Sequence, residues 1–357
     1  MLKVGINGFG RIGRAILRNI LSFDDIDLCV INDINPEPEN LAYLLKYDSY
    51  YGRLKNKISI NKNELSIDKK RVKIFNKENI KDVPWMDYSC DLVIESSGKH
   101  SLLDELPILI EKGVKKVIVT YSPNDKVDGH FVLGANEENF NKNTHHIISS
   151  SICDVVALAP VYKIINENFN VINGFLTTLH PWLSYQNLLD GPPQSWGYPG
   201  SLYGHYSLGR AATASLIIKP TTAISASEKI FSGISNKMKC YSYRVPTPVV
   251  GAADITFQVE KNVKMKQLID LFLSAIDIQK WPILHLNDDP LVSVDFTGTN
   301  YSAIVDKRWV EIVNDNLIKI TLWYDNEYAY SRRVVDLSRH IFDFEPKMNL
   351  DESNSLS

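Results

Sequence analysis

Leu2-Lys3-Val4-Gly5-Ile6-Asn7-Gly8-Phe9-Gly10-Arg11-Ile12-Gly13-Arg14 opens the chain almost at its first residue. Leu2–Asn7 reads as a short buried strand, Gly8 to Gly13 as G-x-G-x-x-G, and Arg14–Leu21 as the helix that follows. Glycine-rich turns are common, so the motif gains meaning only from the strand before it and the helix after it. The glycines allow a tight turn and let the backbone approach a pyrophosphate resting on the helix N-terminus. Gly8, Gly10, Arg11 and Ile12 are therefore expected against a dinucleotide. A second strand, Asp27–Ile31, ends in Asn32-Asp33. Asp33 lies about 20 residues past the last glycine, where a carboxylate accepts adenosine ribose hydroxyls and repels a 2′-phosphate; NAD is expected over NADP.

Further along, Leu41–Tyr47 reads as helix, and Arg53-Leu54 through Val72–Phe75 alternates like antiparallel strands with lysine-rich outer faces. Asp91–Glu95 is another parallel-type strand, and Ser96-Ser97-Gly98 turns at its carboxyl end, where ligands gather in open α/β sheets. A helix near Leu102–Lys112 leads to strands at Lys116–Thr120 and Phe131–Gly134. Strands alternating with helices give a Rossmann-type doubly wound α/β sheet. From Cys153 the pattern changes to a helix (Val155–Ile165) and then strands at Asn170–Leu179, Lys239–Arg244, Ala253–Glu260, Leu291–Asp295 and Leu317–Tyr324. Runs of strands with few helices between them predict an α+β catalytic domain with a mixed or antiparallel sheet. The expected division is 1–152 with a closing helix at 331–345, then 153–330, with 346–357 a frayed tail. Asp190–Arg210, rich in Gly, Pro, Tyr and Trp (Trp196, Tyr198, Tyr203), is a long loop of the functional or interface kind, in which His205 reads as a hydrogen-bonder.

Composition excludes several function classes. At 357 residues, 44% hydrophobic and 23% charged, the chain is ordinary for a soluble globular protein, and large cores are within reach. A net charge of -3 argues against nucleic acid or an anionic membrane as the main partner. Cys29, Cys90, Cys153 and Cys240 form no CxxC pair, so neither a disulfide framework nor a metal site is expected, and a reducing compartment fits. No signal peptide and no bilayer-length apolar run are read, which makes the cytoplasm the expected location.

The segment Ser149-Ser150-Ser151-Ile152-Cys153-Asp154 precedes an apolar helical run. A thiol at a helix N-terminus gains thiolate character from unpaired backbone N–H groups, although a neighbouring Asp154 opposes it. His180, closing the run Phe175–Leu179, supplies the base that a cysteine nucleophile needs. The bland reading is that Cys153 is a small buried hydrophobe.

These motifs resemble the glyceraldehyde-3-phosphate dehydrogenase family from Lys3 to about Ile341. The carrying runs are Gly5–Arg14, Leu44–Ser49, Gly52–Leu54, His145–Ser149, Leu176–His180, Asp190–Pro192, Arg244–Pro248, Trp323–Glu327, Tyr330-Ser331 and Arg333–Asp336. The resemblance implies that Cys153 attacks an aldehyde and that His180 takes the protons. Hydride then passes to NAD and a thioester is left on Cys153. It also implies a cofactor site that includes Ser97, Gly98 and Thr120. Asn326 would hold the nicotinamide carboxamide, Tyr330 would pack beside the ring, and the assembly would be a homotetramer. Two departures stand out. The family's Ser-Cys-Thr-Thr-Asn-Cys is Ile152-Cys153-Asp154-Val155-Val156-Ala157 here, which replaces two phosphate donors by an apolar side chain and an anion. Repulsion between unit charges 4 Å apart is on the order of 1–4 kcal/mol in water-like to surface-like dielectrics. Thr221 persists from that anion site, and Thr222 stands where the family has glycine. At the substrate-phosphate site Leu183 replaces a threonine while Arg244 remains, able to hold a carboxylate or phosphate.

Three readings follow from that pattern. The favoured one is a paralogue oxidising a different aldehyde, with water or another nucleophile, positioned by Asp154, resolving the thioester. The others are the reverse acyl reduction and a non-catalytic NAD-binding relative. The intact Cys153–His180 pair speaks against the last; the ordinary phosphorylating reaction of the family stands as a further alternative. Replacing Asp33 by Ala should relax the preference for NAD over NADP, and an unchanged kcat/KM ratio for the two cofactors would remove the ribose assignment.

Overall fold

The computed structural model describes residues 1–194 and 205–346. Trp196, Tyr198 and Tyr203 of the long loop and nearly all of the expected tail lie outside them. The described residues form two compact units: residues 1–131, 139–151 and 334–345, and residues 132–138, 152–194 and 205–333.

The first unit is a nine-stranded sheet. Its strands are β1 (Leu2–Asn7), β2 (Ile26–Asn32), β3 (Ile58–Asn61), β4 (Glu64–Ile67), β5 (Lys70–Phe75), β6 (Leu92–Glu95), β7 (Lys116–Val119), β8 (Gly129–His130) and β9 (Ile147–Ser149), in the order β3-β4-β5-β2-β1-β6-β7-β9-β8. From β5 to β8 every pairing is parallel; β3, β4 and β5 form an antiparallel ribbon at one edge. The chain winds from β1 outward through β2 and β5, then restarts on the other side of β1 at β6. The switch point between β1 and β6 is where an open parallel sheet offers a crevice at its carboxyl ends. Helix α1 (Arg11–Ile20) begins directly after the glycine turn, and its residues Gly13 and Ala15–Ile20 are buried. Helices α2 (Pro38–Lys46) and α3 (Leu106–Glu111) complete the winding. The helix expected near Leu102–Lys112 is a 3₁₀ turn, His100–Glu105, before a short α-helix, because Pro107 is tolerated only in a first turn.

The second unit begins with α4 (Cys153–Phe169) and is built on an eight-stranded mixed sheet. Its elements are β10 (Val171–Pro181), β11 (Ile217–Lys219), α5 (Ala223–Ser227), α6 (Ile234–Lys237), β12 (Met238–Val245), β13 (Gly251–Val259), α7 (Met265–Ile278), β14 (Leu284–Asn287), β15 (Ala303–Asp306), β16 (Glu311–Val313) and β17 (Leu317–Tyr324). The order is β11-β12-β10-β13-β17-β15-β14, with β16 on β17. Along β17 buried and part-buried residues alternate, the signature of a sheet covered on one face. Helix α8 (Tyr328–His340) follows.

Several expectations give way locally. Leu291–Asp295 is not a strand: the Asp295 carboxylate accepts the Val292 N–H (2.8 Å) and closes a 3₁₀ turn at Ser293–Phe296. The strands in that region are β14 and β15, and α7 is an addition to the expected elements. Phe131–Gly134 turns instead of extending. Asn136 accepts the Val132 N–H (2.9 Å), and Glu137 accepts those of Gly134 and Ala135 (2.8 and 3.1 Å), so past Phe131, which still donates to Ser149, these N–H groups are spent locally. The closing helix starts at Tyr328, three residues before the expected 331, where the Asp325 carboxylate takes the N–H groups of Glu327 and Tyr328. No helix among the described residues is long and apolar enough to cross a membrane.

A Cβ built on Gly13 would lie 2.2 Å from the Gly8 carbonyl oxygen. Alanine ordinarily favours a helix interior by about 1 kcal/mol over glycine. Gly13→Ala is nevertheless expected to lose about 1–3 kcal/mol through overpacking. A lowered urea midpoint checks this; a raised one would mean the contact relaxes freely.

Candidate functional site

In the first unit, polar side chains tie together three carboxyl strand ends. The register sets Asn7 of β1 between Asn32 of β2 and Glu95 of β6. Asn32 donates to the Asn7 side-chain oxygen Oδ1 (2.7 Å), and the Asn7 side-chain amide Nδ2 donates to the Glu95 carboxylate. The other Glu95 oxygen accepts the backbone N–H (2.8 Å) and the hydroxyl of Ser97. Complete burial pushes the Glu95 carboxyl up to about 7, against these donors. Thr120 donates its hydroxyl to the Glu95 backbone carbonyl (3.1 Å). Gly8, at φ +85°, passes so close to Ser97 that a Cβ would meet its backbone at 2.5 Å. Gly98 also has a positive φ, +72°. Gly10 forms the N-cap of α1 and has open space around it, while Ile12 sits part-buried in the first turn. Asp33, just past β2, accepts the N–H of Phe9 in the glycine turn (2.6 Å) and that of Asn35 (2.8 Å). Arg11 pairs with Asp48 (3.1 Å) and lies over the rings of Tyr50 and Tyr51. Gly8, Gly10, Arg11, Ile12, Asp33, Ser97, Gly98 and Thr120 thus belong to one unit, at the strand ends where a dinucleotide would be cradled.

The serines before Cys153 are structural. Ser149 gives its hydroxyl to the Tyr121 carbonyl (2.6 Å) and accepts the Ser151 N–H (2.9 Å), and Ser150 bonds the Val119 carbonyl (3.2 Å).

In the second unit, Cys153 is the first residue of α4 and Ile152 its N-cap, with no side-chain cap. Cys153 Sγ lies 3.6 Å from His180 Nε2 and 3.6 Å from Asp154 Oδ1. His180 Nδ1 lies 2.7 Å from the Pro181 carbonyl oxygen, which can only accept, so Nδ1 carries the proton and Nε2 turns a lone pair to the sulfur. Burial, followed by the Arg244 charge, lowers the imidazole to about 4, leaving it neutral. Because that lies below its ordinary 6.5, the neutral ring contributes stability above pH 6.5 that is lost as the pH falls toward about 4. Burial, then the adjacent Asp154, pushes the Cys153 thiol well above its usual range, against Arg244.

Asp154 is buried, and both carboxylate oxygens are engaged. Oδ1 accepts the Tyr324 hydroxyl (2.8 Å) and Oδ2 the Thr221 hydroxyl (3.2 Å). Sheet register assembles the cationic side: His180 of β10 pairs with Arg244 of β12, and Arg244 with Ile217 of β11, two residues before Lys219. Arg244 is buried, and its Nε has no hydrogen-bond partner among the described residues. Burial, then Arg244, lowers Lys219 to about 8. Thr222 is exposed and caps the short α5, away from these contacts. Asn326 and Tyr330 are buried, and Asn326 Oδ1 has no partner among the described residues, which suits an incoming amide N–H. In the long loop, His205 bonds the Ser207 hydroxyl (2.7 Å), the local role expected of it.

Sequence reasoning passed over Lys219 and the Tyr324 hydroxyl. Tyr324 stands inside a quoted motif, but its partner is 170 residues away; Lys219 could have been suspected only as a cation in an otherwise apolar run.

Residues 2–102 match the model of the glyceraldehyde 3-phosphate dehydrogenase NAD binding domain, and residues 152–326 that of its C-terminal domain. The chain is 34% identical over 342 residues to the glyceraldehyde-3-phosphate dehydrogenase of Geobacillus stearothermophilus, covering 95% of this chain and 98% of that protein. It is 35% identical to glyceraldehyde-3-phosphate dehydrogenase 2 of Bacillus subtilis (95% and 96% covered). To the testis-specific enzyme of Mus musculus it is 34% identical (96% and 76% covered).

With a neutral imidazole and a raised thiol, iodoacetamide alkylation of Cys153 should climb through pH 9 without a step near pH 6.5. Asp154→Asn removes the facing anion, so the thiol ionises more readily and alkylation at about pH 7.5 should speed severalfold; lowering a thiol pKa by about one raises its thiolate fraction about tenfold. An unchanged rate would mean Asp154 does not govern the thiol.

Proposed function

The chain belongs to the glyceraldehyde-3-phosphate dehydrogenase family as an NAD-dependent oxidoreductase acting on an aldehyde group, and from that premise we propose that it works through a Cys153 thioester resolved without inorganic phosphate. Cys153 Sγ adds to the aldehyde carbon while His180 Nε2 takes the thiol proton and returns it to the alkoxide that forms, giving the thiohemiacetal hydroxyl. Nε2, neutral again, draws that hydroxyl proton as the hydride departs, and the Pro181 carbonyl holds the ring in the tautomer this requires. Bound NAD supplies the two-electron acceptor for the hydride. Asn326 is the residue assigned to the nicotinamide carboxamide and Tyr330 to the ring's flank.

The observation that carries the phosphate-free reading is the Thr221–Asp154 hydrogen bond. Thr221 is the clearest survivor of the family's phosphate donors, and its hydroxyl is given to a carboxylate of the chain itself. Ile152 contributes no donor, and Asp154 repels a phosphate by the 1–4 kcal/mol order of magnitude expected per charge pair at contact. Water suits the place better. A carboxylate has room for about four hydrogen bonds, so Asp154 can hold and deprotonate a water beside the thioester. The water oxygen bonds the acyl carbon, the C–S bond breaks, Sγ regains a proton, and a carboxylic acid leaves. Arg244 and Lys219 support a substrate bearing its own anionic group, different from the family's glyceraldehyde 3-phosphate because Leu183 removes one phosphate contact.

The assembly is a homotetramer on this reading. The outer face of the second sheet leaves Phe175 (61% exposed), Ile218 (52%) and Tyr241 (42%) uncovered, the kind of apolar face that subunits bury. Four free thiols fit a cytoplasmic location.

Cys153→Ser should lower hydride transfer by at least about 10³-fold with NAD affinity nearly unchanged. Intact-mass spectrometry with NAD and a panel of phosphorylated and unphosphorylated aldehydes should find an acyl adduct on Cys153, turned over at a rate independent of added phosphate. A saturable phosphate requirement with glyceraldehyde 3-phosphate would overturn the acceptor assignment, and NAD binding without any adduct would overturn the dehydrogenase.

A further inference from the structure

Cys153 Sγ, His180 Nε2 and Asp154 Oδ1 converge from three side chains, and among the described residues no other Cys, His, Asp and Glu trio comes as close, within 4.8 Å. Their separations are 3.6 Å (S to N), 3.6 Å (S to O) and 3.9 Å (N to O). Ordinary zinc bond lengths at tetrahedral angles require about 3.6, about 3.6 and about 3.4 Å for these pairs. The cluster is therefore close to the shape a zinc ion would impose, before any ion is added. We propose that Cys153, Asp154 and His180 form a three-ligand site for Zn²⁺ that reversibly closes the nucleophile.

The surroundings agree with that assignment. A metal-bound imidazole ordinarily gives its other N–H to a carbonyl or carboxylate, and His180 Nδ1 is placed on the Pro181 carbonyl. The ligating carboxylate is held in turn by Tyr324 and Thr221. Sulfur, nitrogen and one carboxylate oxygen suit a zinc site that keeps its fourth position open, and part-buried Cys153 leaves solvent a way to that position. The charges balance: thiolate and carboxylate together neutralise the dication, and the thiol proton leaves to solvent on binding. Arg244 and Lys219 oppose a further cation, so the ion is held exchangeably and a chelator removes it. With zinc on Sγ, the lone pair that attacks the aldehyde is occupied. Only this consequence for turnover rests on the proposed function; the binding itself does not.

The test uses metal-free full-length protein in chelator-buffered ZnCl₂, with and without NAD. One zinc per chain should bind, slow iodoacetamide alkylation of Cys153 at least tenfold, and be reversed by EDTA. Cobalt in its place should give a thiolate charge-transfer absorption with tetrahedral ligand-field bands. Asp154→Asn should weaken zinc affinity about 100-fold, and Tyr324→Phe, which keeps the ring and loses only the hydroxyl, about tenfold. Retained NAD binding and circular dichroism certify that each variant is folded; if Asp154→Asn fails that check, Tyr324→Phe decides. Equal zinc affinity in wild type and the folded variant overturns the site, as does alkylation unaffected by zinc. Zinc protection together with phosphate-dependent turnover would uphold the metal site and refute the phosphate-free acceptor, so the two assignments fail separately.

Discussion

A carboxylate buried beside a thiol governs this molecule's chemistry. Asp154 is only 5% exposed, and an anion so placed persists only if donors replace its water. The Tyr324 and Thr221 hydroxyls do so. The carboxylate has one setting in its favour, the first turn of α4, and one against it, the sulfur it faces. The thiol yields: it holds its proton more tightly than a free cysteine would, and activation falls to His180. A neutral imidazole with a fixed tautomer suits that task. The nucleophile here is made on demand.

Backbone register matters to the site as much as side-chain chemistry does. On β10, Leu179 is 40% exposed while His180 is 4% exposed. Successive residues on a strand point to opposite faces, so a one-residue slip against β12 would turn His180 outward and break its alignment with Arg244. The antiparallel pairing of β13 with β17 similarly delivers Tyr324 to the level of Gly251, whose missing Cβ leaves room for the tyrosine ring; an added Cβ would lie 2.8 Å from it.

What the sequence disclosed follows from how local each signal is. The glycine turn, its flanking strand and helix, and Asp33 lie within a few dozen residues and were legible together. So was the Cys153–His180 pair, because the histidine closes a strand that starts soon after α4. The Asn32–Asn7–Glu95 row was not, since it depends on β6 pairing beside β1. Tyr324 and Lys219 were hidden for the same reason, being brought to Asp154 by long-range pairing. The failures at Leu291–Asp295 and Phe131–Gly134 have a different cause: short polar side chains there satisfy the backbone locally and outcompete a ladder that the apolar pattern alone would allow.

In the closing segment of the first unit, the Arg339 guanidinium lies over the Phe23 ring (4.6 Å) and donates to both oxygens of Asp25 (3.3 Å to Oδ1, 2.7 Å to Oδ2). It is 1% exposed, so its charge is buried against a half-buried counter-ion just before β2, one of the first strands made. A ribosome delivers Asp25 long before Arg339. Through most of synthesis the nucleotide-binding unit therefore lacks a piece of itself, whereas nearly all of the described second unit has already been made. The order of emergence and the order of completion are inverted: the part of the chain born first is finished last.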